Sequence, residues 1–171
     1  MTIMIPAWVD GTLMPVEKLE VHKRGLRHKA ISVFVFCGDE LLLQRRAPGK
    51  YHTPGLWSNT CCSHPDWGES ASDCAKRRLD EELRLTALNL GWKAMIEYRT
   101  DVGEGLIEHE RVDVFVARVP ERVAVSPDPE EVSETNWVQL RSLKVKIDKQ
   151  PERYTPWLAI YLRDFEAQIF H

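Results

Sequence analysis

Two glutamates near the middle of the chain could transfer protons or bind a metal ion. Glu108 and Glu110 are two residues apart on a predicted strand, so both side chains project from the face that continues with Val112, Val114 and Val116. Burying two like charges is costly unless a cation compensates them or one carboxyl takes up a proton. The pair therefore indicates either a functional site or a β-bulge that turns this end of the strand into solvent.

A second candidate is the segment that ends at Pro65. Proline favours an extended conformation at His64, and in an extended segment Cys62 and His64 point the same way while Cys61 points the opposite way. The chain has four cysteines, which should be reduced in the cytoplasm. A catalytic or metal-binding thiol is therefore expected rather than a disulfide framework.

Further histidines and one more glutamate extend the set of possible metal ligands. His22 and His28 flank the start of an apolar segment, and imidazole nitrogens combined with carboxylate oxygens suit zinc or manganese. Their spacing is not that of a zinc finger or ribbon. Glu82 follows Arg78 by four residues on a predicted helix. It could hold a second ion, or the two side chains could form an ordinary surface pair.

The hydrophobic pattern predicts the elements that must position these residues. Ser70, with Asp73 three residues later, is typical of a helix start, and residues 46–54 form a loop rich in cations that suits an anion. Residues 15–27 form a short segment of mixed polarity, and residues 120–131 a polar connection. Strands are predicted at residues 3–9, 30–36, 41–45, 92–100, 106–118 and 134–140, and helices at residues 70–84 and 154–170.

Composition limits the class of protein. The chain has 171 residues and a formal net charge of -3, with both signs well mixed, so a nucleic-acid-binding surface is not expected. It has neither a long apolar run nor a signal peptide, which predicts a cytoplasmic protein without a membrane partner. We expect one domain over residues 1–171, a monomer or weak homodimer, and a small-molecule substrate.

Several uncommon features in one order resemble a known family. Residues 57–65, residues 68–70 and the pair Glu108 and Glu110 are similar to the active-site segments of type I isopentenyl-diphosphate isomerases. The resemblance covers nearly the whole chain. It also includes Lys18, His22, His28, Arg45, Lys50, Tyr98 and Trp157.

The resemblance implies an α/β fold of mixed α+β type, the Nudix-like fold, with a mixed sheet between helices. The helix that begins at Ser70 would be the Nudix helix. Arg78 stands where hydrolases of this fold carry a glutamate for their magnesium cluster, which argues against nucleoside-diphosphate hydrolysis. A Nudix hydrolase remains the alternative enzyme because Glu69, Glu81 and Glu82 are present. A structural zinc site in a binding module is a third alternative.

The resemblance also implies two metal sites and an anion site for a small-molecule diphosphate. Glu82 would help to hold Mg²⁺. Lys18, Arg45 and Lys50 would neutralise the diphosphate. One further divalent ion, Mn²⁺ or Zn²⁺, would be bound by His22, His28, His64, Glu108 and Glu110.

Moving a double bond requires an acid and a base. Glu110, assisted by the Tyr98 hydroxyl, is expected to protonate the alkene, and Cys62 is expected to accept a proton on the opposite face. A thiolate at Cys62 would need neighbouring cations, for which Arg45 and Lys50 are candidates. Trp157 could stabilise a carbocation through its ring face, or it could be an ordinary apolar residue of the last helix.

Overall fold

A computed structural model describes residues 2–171. Within these residues the strands join into one mixed sheet, confirming the expected fold class. The strands are β1 (Met4–Val9), β2 (Thr12–Glu17), β3 (His28–Cys37), β4 (Glu40–Arg46), β5 (Trp57–Ser58), β6 (Cys61–Ser63), β7 (Gly91–Gly103), β8 (Leu106–Val119) and β9 (Val132–Gln139). The helices are α1 (Lys18–Arg24), α2 (Ala71–Leu83), α3 (Leu140–Lys149), α4 (Pro156–Asp164) and α5 (Glu166–Phe170).

Strand β3 lies at the centre of the sheet. It runs parallel to β8 and antiparallel to β1, β4 and β6. The register places His28 opposite Glu110 on β8, and Ser32 opposite Cys62 on β6. The two residues expected to move protons thus lie on the two strands that flank β3.

Both faces of β3 are buried, each by a different set of helices. Ala30, Phe34 and Phe36 belong to a core cluster that includes residues of α3, α4 and α5. Ile31 and Val33 belong to a second cluster that includes residues of α2. A strand covered on both faces reads as a continuous apolar run, which is what residues 30–36 show. The sheet is therefore sandwiched between helices.

Helix α2 confirms the prediction for residues 70–84. The Ser70 hydroxyl accepts a hydrogen bond from the Asp73 amide at 3.1 Å and caps the first turn. Arg84 ends the helix in the left-handed conformation, at φ 55°. Leu79 and Leu83 are buried, and Glu82 is buried beside them. The apolar stripe of α2 therefore carries a carboxylate into the interior.

Other elements differ from the prediction. The segment 15–27 contains the end of β2 and then α1. Helix α1 was not predicted, because its seven residues are too few to show a helical period. The predicted helix 154–170 is two helices, because Phe165 leaves the helical conformation between α4 and α5. Helix α3 was not predicted, although Leu143 and Ile147 form its buried side. No helix within residues 2–171 has the length and apolar character needed to cross a membrane.

Candidate active site

Three histidines and a glutamate from four parts of the chain converge below the edge of the sheet. One ring nitrogen from each of His22, His28 and His64 and a carboxylate oxygen of Glu108 all lie within 4.8 Å of one another. His22 comes from α1, His28 from the start of β3 and Glu108 from β8, while His64 follows β6. The structure thus brings together the imidazoles that lie far apart in the sequence.

Backbone carbonyls fix the orientation of two of these rings. Nδ1 of His22 donates to the carbonyl oxygen of Lys18 at 2.6 Å, and Nδ1 of His28 donates to that of Leu26 at 2.7 Å. Each Nε2 atom then faces Glu108, whose carboxylate oxygens lie 3.1 Å away. Such outer hydrogen bonds are the usual support of metal-binding imidazoles, because they fix both the tautomer and the ring direction.

Glu108 and Glu110 are both buried on the inward face of β8, which excludes the β-bulge interpretation. The irregularities in the pairing of β7 with β8 lie at other positions. Burial opposes the charged form of Glu108, but the surrounding histidines hold its pKa well below the ordinary value. Burial likewise opposes charge on His28, but Glu108 and Glu110 raise the pKa of its imidazole to about 10.

The donor set fits one divalent ion. Three imidazole nitrogens and one carboxylate oxygen at this separation match the ligands that zinc and manganese prefer, and Glu110 adds a second carboxylate. Oε1 of Glu110 lies 3.1 Å from Nε2 of His64 and 3.7 Å from Nε2 of His28. A divalent ion would also balance the two buried carboxylates in place of the proton that the His28 imidazole holds.

A fourth histidine, His52, belongs to the same cluster and was missed by the sequence analysis. Its Nε2 atom lies 2.7 Å from Oε1 of Glu108, and its ring packs edge-on against Trp157 at 5.7 Å. The carbonyl oxygen of His52 accepts a hydrogen bond from Arg46 at 3.1 Å. His52 lies in a loop without periodicity, so its inward direction had no signal in the sequence. The next residue, Thr53, has φ 47°, which is rare for a β-branched side chain.

The Cys62 sulfur lies among neutral polar groups. It donates to Oδ1 of Asn59 at 2.9 Å and lies 3.1 Å from the Ser32 hydroxyl. Burial raises the pKa of the Cys62 thiol to about 12. Cys61 points the other way and packs in the core beside α2, as the alternation predicts. The sulfur is therefore a thiol at rest. The expected stabilisation of a thiolate by Arg45 is wrong, because the Arg45 side chain is exposed and pairs with Glu134 outside the cavity.

Hydrogen-bonded hydroxyls surround the two expected proton carriers. The Tyr98 hydroxyl donates to Oε2 of Glu110 at 2.7 Å. The Ser32 hydroxyl, which contacts the sulfur of Cys62, also lies 2.7 Å from the Tyr161 hydroxyl. The rings of Tyr98 and Tyr161 meet edge-on, with centroids 5.7 Å apart. The sequence analysis selected Tyr98 but missed Tyr161, whose spacing in α4 is that of an ordinary core residue.

The ring of Trp157 is buried in the wall of the same cavity. Its indole nitrogen donates to the Ser58 hydroxyl at 2.9 Å, which fixes the ring plane. The Arg46 guanidinium lies 5.4 Å from the ring centroid. The hydrogen bond and the cation hold Trp157 in place, and Cys62 and Glu110 line the same cavity.

Four cations line the site, and two of them, Arg46 and Arg78, were not among the predicted ligands of the diphosphate. Lys18, Lys50, Arg46 and Arg78 all face the inner cavity. Burial and the neighbouring cations lower the pKa of Lys18 to about 8. Arg45 lies outside, where its side chain is 47% exposed and pairs with Glu134 at 3.4 Å. Successive side chains of β4 alternate between the two faces, so the neighbour Arg46 is the arginine that points inward.

Glu82 occupies the position expected for a second metal ligand. One carboxylate oxygen accepts a hydrogen bond from Gln44 at 2.7 Å, and the other accepts one from Arg78 at 2.6 Å. Both Glu82 and Arg78 have mostly buried side chains, so their contact is not the ordinary surface pair. A cation at Glu82 would have to share this carboxylate with Arg78.

The site opens to the surface through one continuous cleft. The inner cavity, which contains Cys62 and Glu110, has a volume of about 30 Å³. The outer cleft has a volume of about 560 Å³ and is lined by residues of β1, α1 and α2. Lys18, Lys50, Tyr51 and Arg78 line both parts. A ligand in the cleft can therefore place an anionic group against the cations and a small apolar group deeper inside.

The chain is similar in sequence to a known domain family and to curated proteins. The family model described as NUDIX domain matches residues 26–158. A protein of Cereibacter sphaeroides (strain ATCC 17025) named isopentenyl-diphosphate Delta-isomerase is 65% identical over 98% of this chain and 94% of its own length. A protein of the same name from Dinoroseobacter shibae is 60% identical over 98% of this chain and 95% of its own length.

Solved structures with low sequence identity share the fold. DR0079 from Deinococcus radiodurans has a TM-score of 0.75 at 16% identity and covers 94% of this chain and 97% of its own. The MutT protein from Methanosarcina mazei has a TM-score of 0.65 at 17% identity and covers 82% of this chain and 94% of its own. At this identity the likeness concerns the fold alone.

Proposed function

The chain belongs to the isopentenyl-diphosphate Delta-isomerases of the NUDIX family, and we propose that Cys62 and Glu110 carry its two proton transfers. Enzymes of this name interconvert isopentenyl diphosphate and dimethylallyl diphosphate in isoprenoid biosynthesis, and this chain is such an isomerase. The observation that supports the two residues most directly is that both face one small buried cavity from the two strands that flank β3.

The reaction needs one group on each side of the substrate. A proton is added to the terminal carbon of the alkene, which leaves a tertiary carbocation, and a different proton is removed from the carbon on the other side of the cation. Glu110 gives the first proton with the help of the Tyr98 hydroxyl, which contacts its Oε2. Cys62 takes the second. Because Cys62 rests as a thiol, its proton must first pass to solvent, and Glu110 must carry a proton taken up from solvent, before isopentenyl diphosphate reacts; the reverse reaction begins from the thiol directly.

The carbocation requires a dry, electron-rich surface. Trp157 offers its ring face, and the hydrogen bond to Ser58 holds the ring in place. Most of the residues that surround the inner cavity are buried, which limits the access of bulk water that would otherwise trap the cation as an alcohol. The hydroxyls of Ser32 and Tyr161 fix the Cys62 side of the cavity.

Two divalent ions complete the site. His22, His28, His64, Glu108 and Glu110 would hold one ion, Mn²⁺ or Zn²⁺, and Glu82 would hold Mg²⁺. The ions, when bound, supply the positive charge that balances the buried carboxylates and the diphosphate. The convergence of the imidazoles supports the first site, and the buried Glu82 carboxylate in the wall of the inner cavity supports the second.

The diphosphate is bound by cations at the mouth of the inner cavity. Lys18, Lys50, Arg46 and Arg78 line this region, so Arg46 takes the part that the sequence analysis gave to Arg45. Arginine binds phosphate oxygens through two parallel N–H groups, and lysine adds a point charge. With the diphosphate held here, the five-carbon chain extends inward towards Cys62 and Glu110.

The function is tested by converting isopentenyl diphosphate in deuterated water with Mg²⁺ and a second divalent ion. We expect dimethylallyl diphosphate that carries deuterium, because Glu110 delivers a proton that exchanges with solvent. Product without deuterium would contradict transfer by an exchangeable acid. Release of phosphate would instead identify a hydrolase, which is the alternative enzyme of this fold.

A further inference from the structure

Glu131 places a carboxylate among the cations of the proposed diphosphate site. It directly precedes β9, at the end of the polar connection that was predicted for residues 120–131. Its Oε2 lies 2.5 Å from the amino group of Lys50, and its Oε1 lies 3.2 Å from Nη2 of Arg78. Two of the four cations that line the inner cavity are thus already in contact with an anionic group of the protein.

The surroundings explain why an anion is stabilised there. Lys18 and Arg46 line the same cavity, so Glu131 adds a negative charge to a region that holds four cations. Burial opposes charge on Glu131, but hydrogen bonds from Lys50 and Arg78 keep the pKa of this carboxyl below its ordinary value. The carboxylate therefore stays charged at neutral pH and reduces the repulsion among the cations.

The backbone of Glu131 is anchored while its side chain projects into the cleft. Its amide donates to the carbonyl oxygen of Asp128, and its own carbonyl oxygen accepts from the amide of Ala47, both at 3.0 Å. The side chain remains 27% exposed and lines the outer cleft. A change of side-chain rotamer at Glu131 can therefore move the carboxylate away from Lys50 and Arg78 without moving the backbone.

We propose that the Glu131 carboxylate is a resident anion that the diphosphate of the substrate must displace from Lys50 and Arg78. This inference rests on the proposed function, because it assumes that the diphosphate binds these cations. Arg78 also contacts Glu81 and Glu82, each at 2.6 Å, so it keeps its position when Glu131 leaves. Glu131 thereby lowers the affinity for all anions and selects ligands with more charge than one carboxylate.

A different role for Glu131 predicts the opposite effect. Its Oε1 and Oε1 of Glu82 contact the same nitrogen of Arg78, at 3.2 Å and 2.6 Å. If a magnesium ion bridged these two carboxylates, Glu131 would be a ligand of that ion and would strengthen the binding of a magnesium diphosphate. Displacement and metal binding therefore differ in the sign of the effect of removing the carboxylate.

The test compares the binding of pyrophosphate by the full chain and its variants in calorimetric titrations at a fixed Mg²⁺ concentration. Glu131→Gln removes the charge, and we expect its Kd for pyrophosphate to fall by roughly three- to tenfold, the size expected for one partly buried ion pair. Glu131→Asp keeps the charge but is one methylene group shorter. It cannot contact both cations, so it should also bind pyrophosphate more tightly than the natural protein.

Glu134→Gln serves as the matched control. Glu134 lies on β9, three residues from Glu131, and its exposed carboxylate pairs with Arg45 outside the cavity. The control should bind pyrophosphate as the natural protein does. Equal or weaker binding by Glu131→Gln would overturn the proposal, and so would unchanged binding by Glu131→Asp, which would assign the effect to charge alone. Lack of pyrophosphate binding in all four proteins would overturn the diphosphate site itself.

Discussion

At the scale of single residues, the direction of each side chain decides which chemistry is available. Glu108 and Glu110 face the histidines, whereas His109 between them faces out and pairs with Glu97 at 3.3 Å. Cys62 faces the cavity and Cys61 faces the core beside α2. On both strands, successive side chains point to opposite faces. This alternation decides which residues can reach a substrate and which of their titratable neighbours cannot.

Glu110→Gln should abolish most of the activity. The amide cannot give a proton to the alkene, and it is a poorer ligand for a divalent ion, so we expect kcat to fall by about 100-fold or more. His109→Gln alters the adjacent residue on the outward face and should leave kcat nearly unchanged. Steady-state rates of both variants check this expectation, and a Glu110→Gln variant with near-normal kcat would exclude Glu110 as a proton carrier.

His52→Ala should weaken the binding of the first divalent ion. His52 contacts Oε1 of Glu108 at 2.7 Å, and loss of such a neighbour typically lowers metal affinity by about 10- to 100-fold. His52→Gln retains a polar N–H group and should recover part of the affinity. Competition with a chelator of known affinity measures this directly. Equal metal affinity in the His52→Ala variant would show that His52 only fills space.

The directions of the site side chains could be predicted from the sequence on strands, where successive side chains alternate between the two faces, but not in loops. Alternation along a strand identified the direction of Cys62 and of the glutamate pair. The choice of Arg45 over Arg46 came from the family resemblance and was wrong, because Arg46 lines the cavity whereas Arg45 is exposed and pairs with Glu134. His52 could not be found, since the direction of a loop side chain depends on contacts with distant residues.

At the scale of elements, the register of β3 with its neighbours brings the site together. Pairing His28 with Glu110 and Ser32 with Cys62 joins segments that are far apart in sequence. Strong periodicity and a capping residue were enough to predict α2. Helix α1 was missed because its seven residues are too few to show a helical period, although it carries both Lys18 and His22.

Glu69→Gln should destabilise the start of α2 in a pH-dependent manner. Glu69 accepts two hydrogen bonds from Arg77, at 2.7 and 2.9 Å, and one from the Asp66 amide at 2.9 Å. Arg77 holds the pKa of the Glu69 carboxyl below its ordinary value, although burial opposes this. A lowered pKa gives a stabilisation that is complete above the pKa of the unfolded state and is lost as pH falls through the folded value.

Urea unfolding at several pH values measures this contribution. At pH 7 the Glu69→Gln variant should be less stable by about 0.5–1.5 kcal/mol. The difference from the natural protein should shrink as the pH falls below about 4, where the natural carboxyl takes up a proton. A stability difference that stays constant over this range would exclude the Arg77 pair as its source.

At the scale of the whole molecule, the two faces of the sheet carry different core clusters, and both faces contribute residues to the cavity. The cluster beside α2 is a packed apolar core, whereas the opposite cluster surrounds the cavity with Tyr98, Trp157 and Tyr161. The mixed sheet between helices was predictable from the resemblance, and the NUDIX match confirms it. A single domain over residues 1–171, a cytoplasmic location and a monomer or weak homodimer stay predictions.

Removal of the divalent ion should destabilise the whole protein, because the buried carboxylates of Glu108 and Glu110 then lose their compensating charge. We expect a chelator to lower Tm by about 5 °C or more and re-addition of the metal to restore it. Glu108→Gln, which removes a central ligand, should have a Tm that responds much less to the chelator. A natural protein that loses its metal without any change in Tm would contradict the structural account of the cluster.

The most direct test of the whole account compares Cys62→Ala with Cys61→Ala, assayed for conversion of isopentenyl diphosphate. The two cysteines are adjacent, but only Cys62 reaches the cavity. We predict that Cys62→Ala lowers kcat by about 1000-fold or more with its fold and metal content unchanged, while Cys61→Ala keeps most of its activity. Near-normal turnover by Cys62→Ala, or loss of activity in Cys61→Ala alone, would contradict the assignment of Cys62 as a proton carrier.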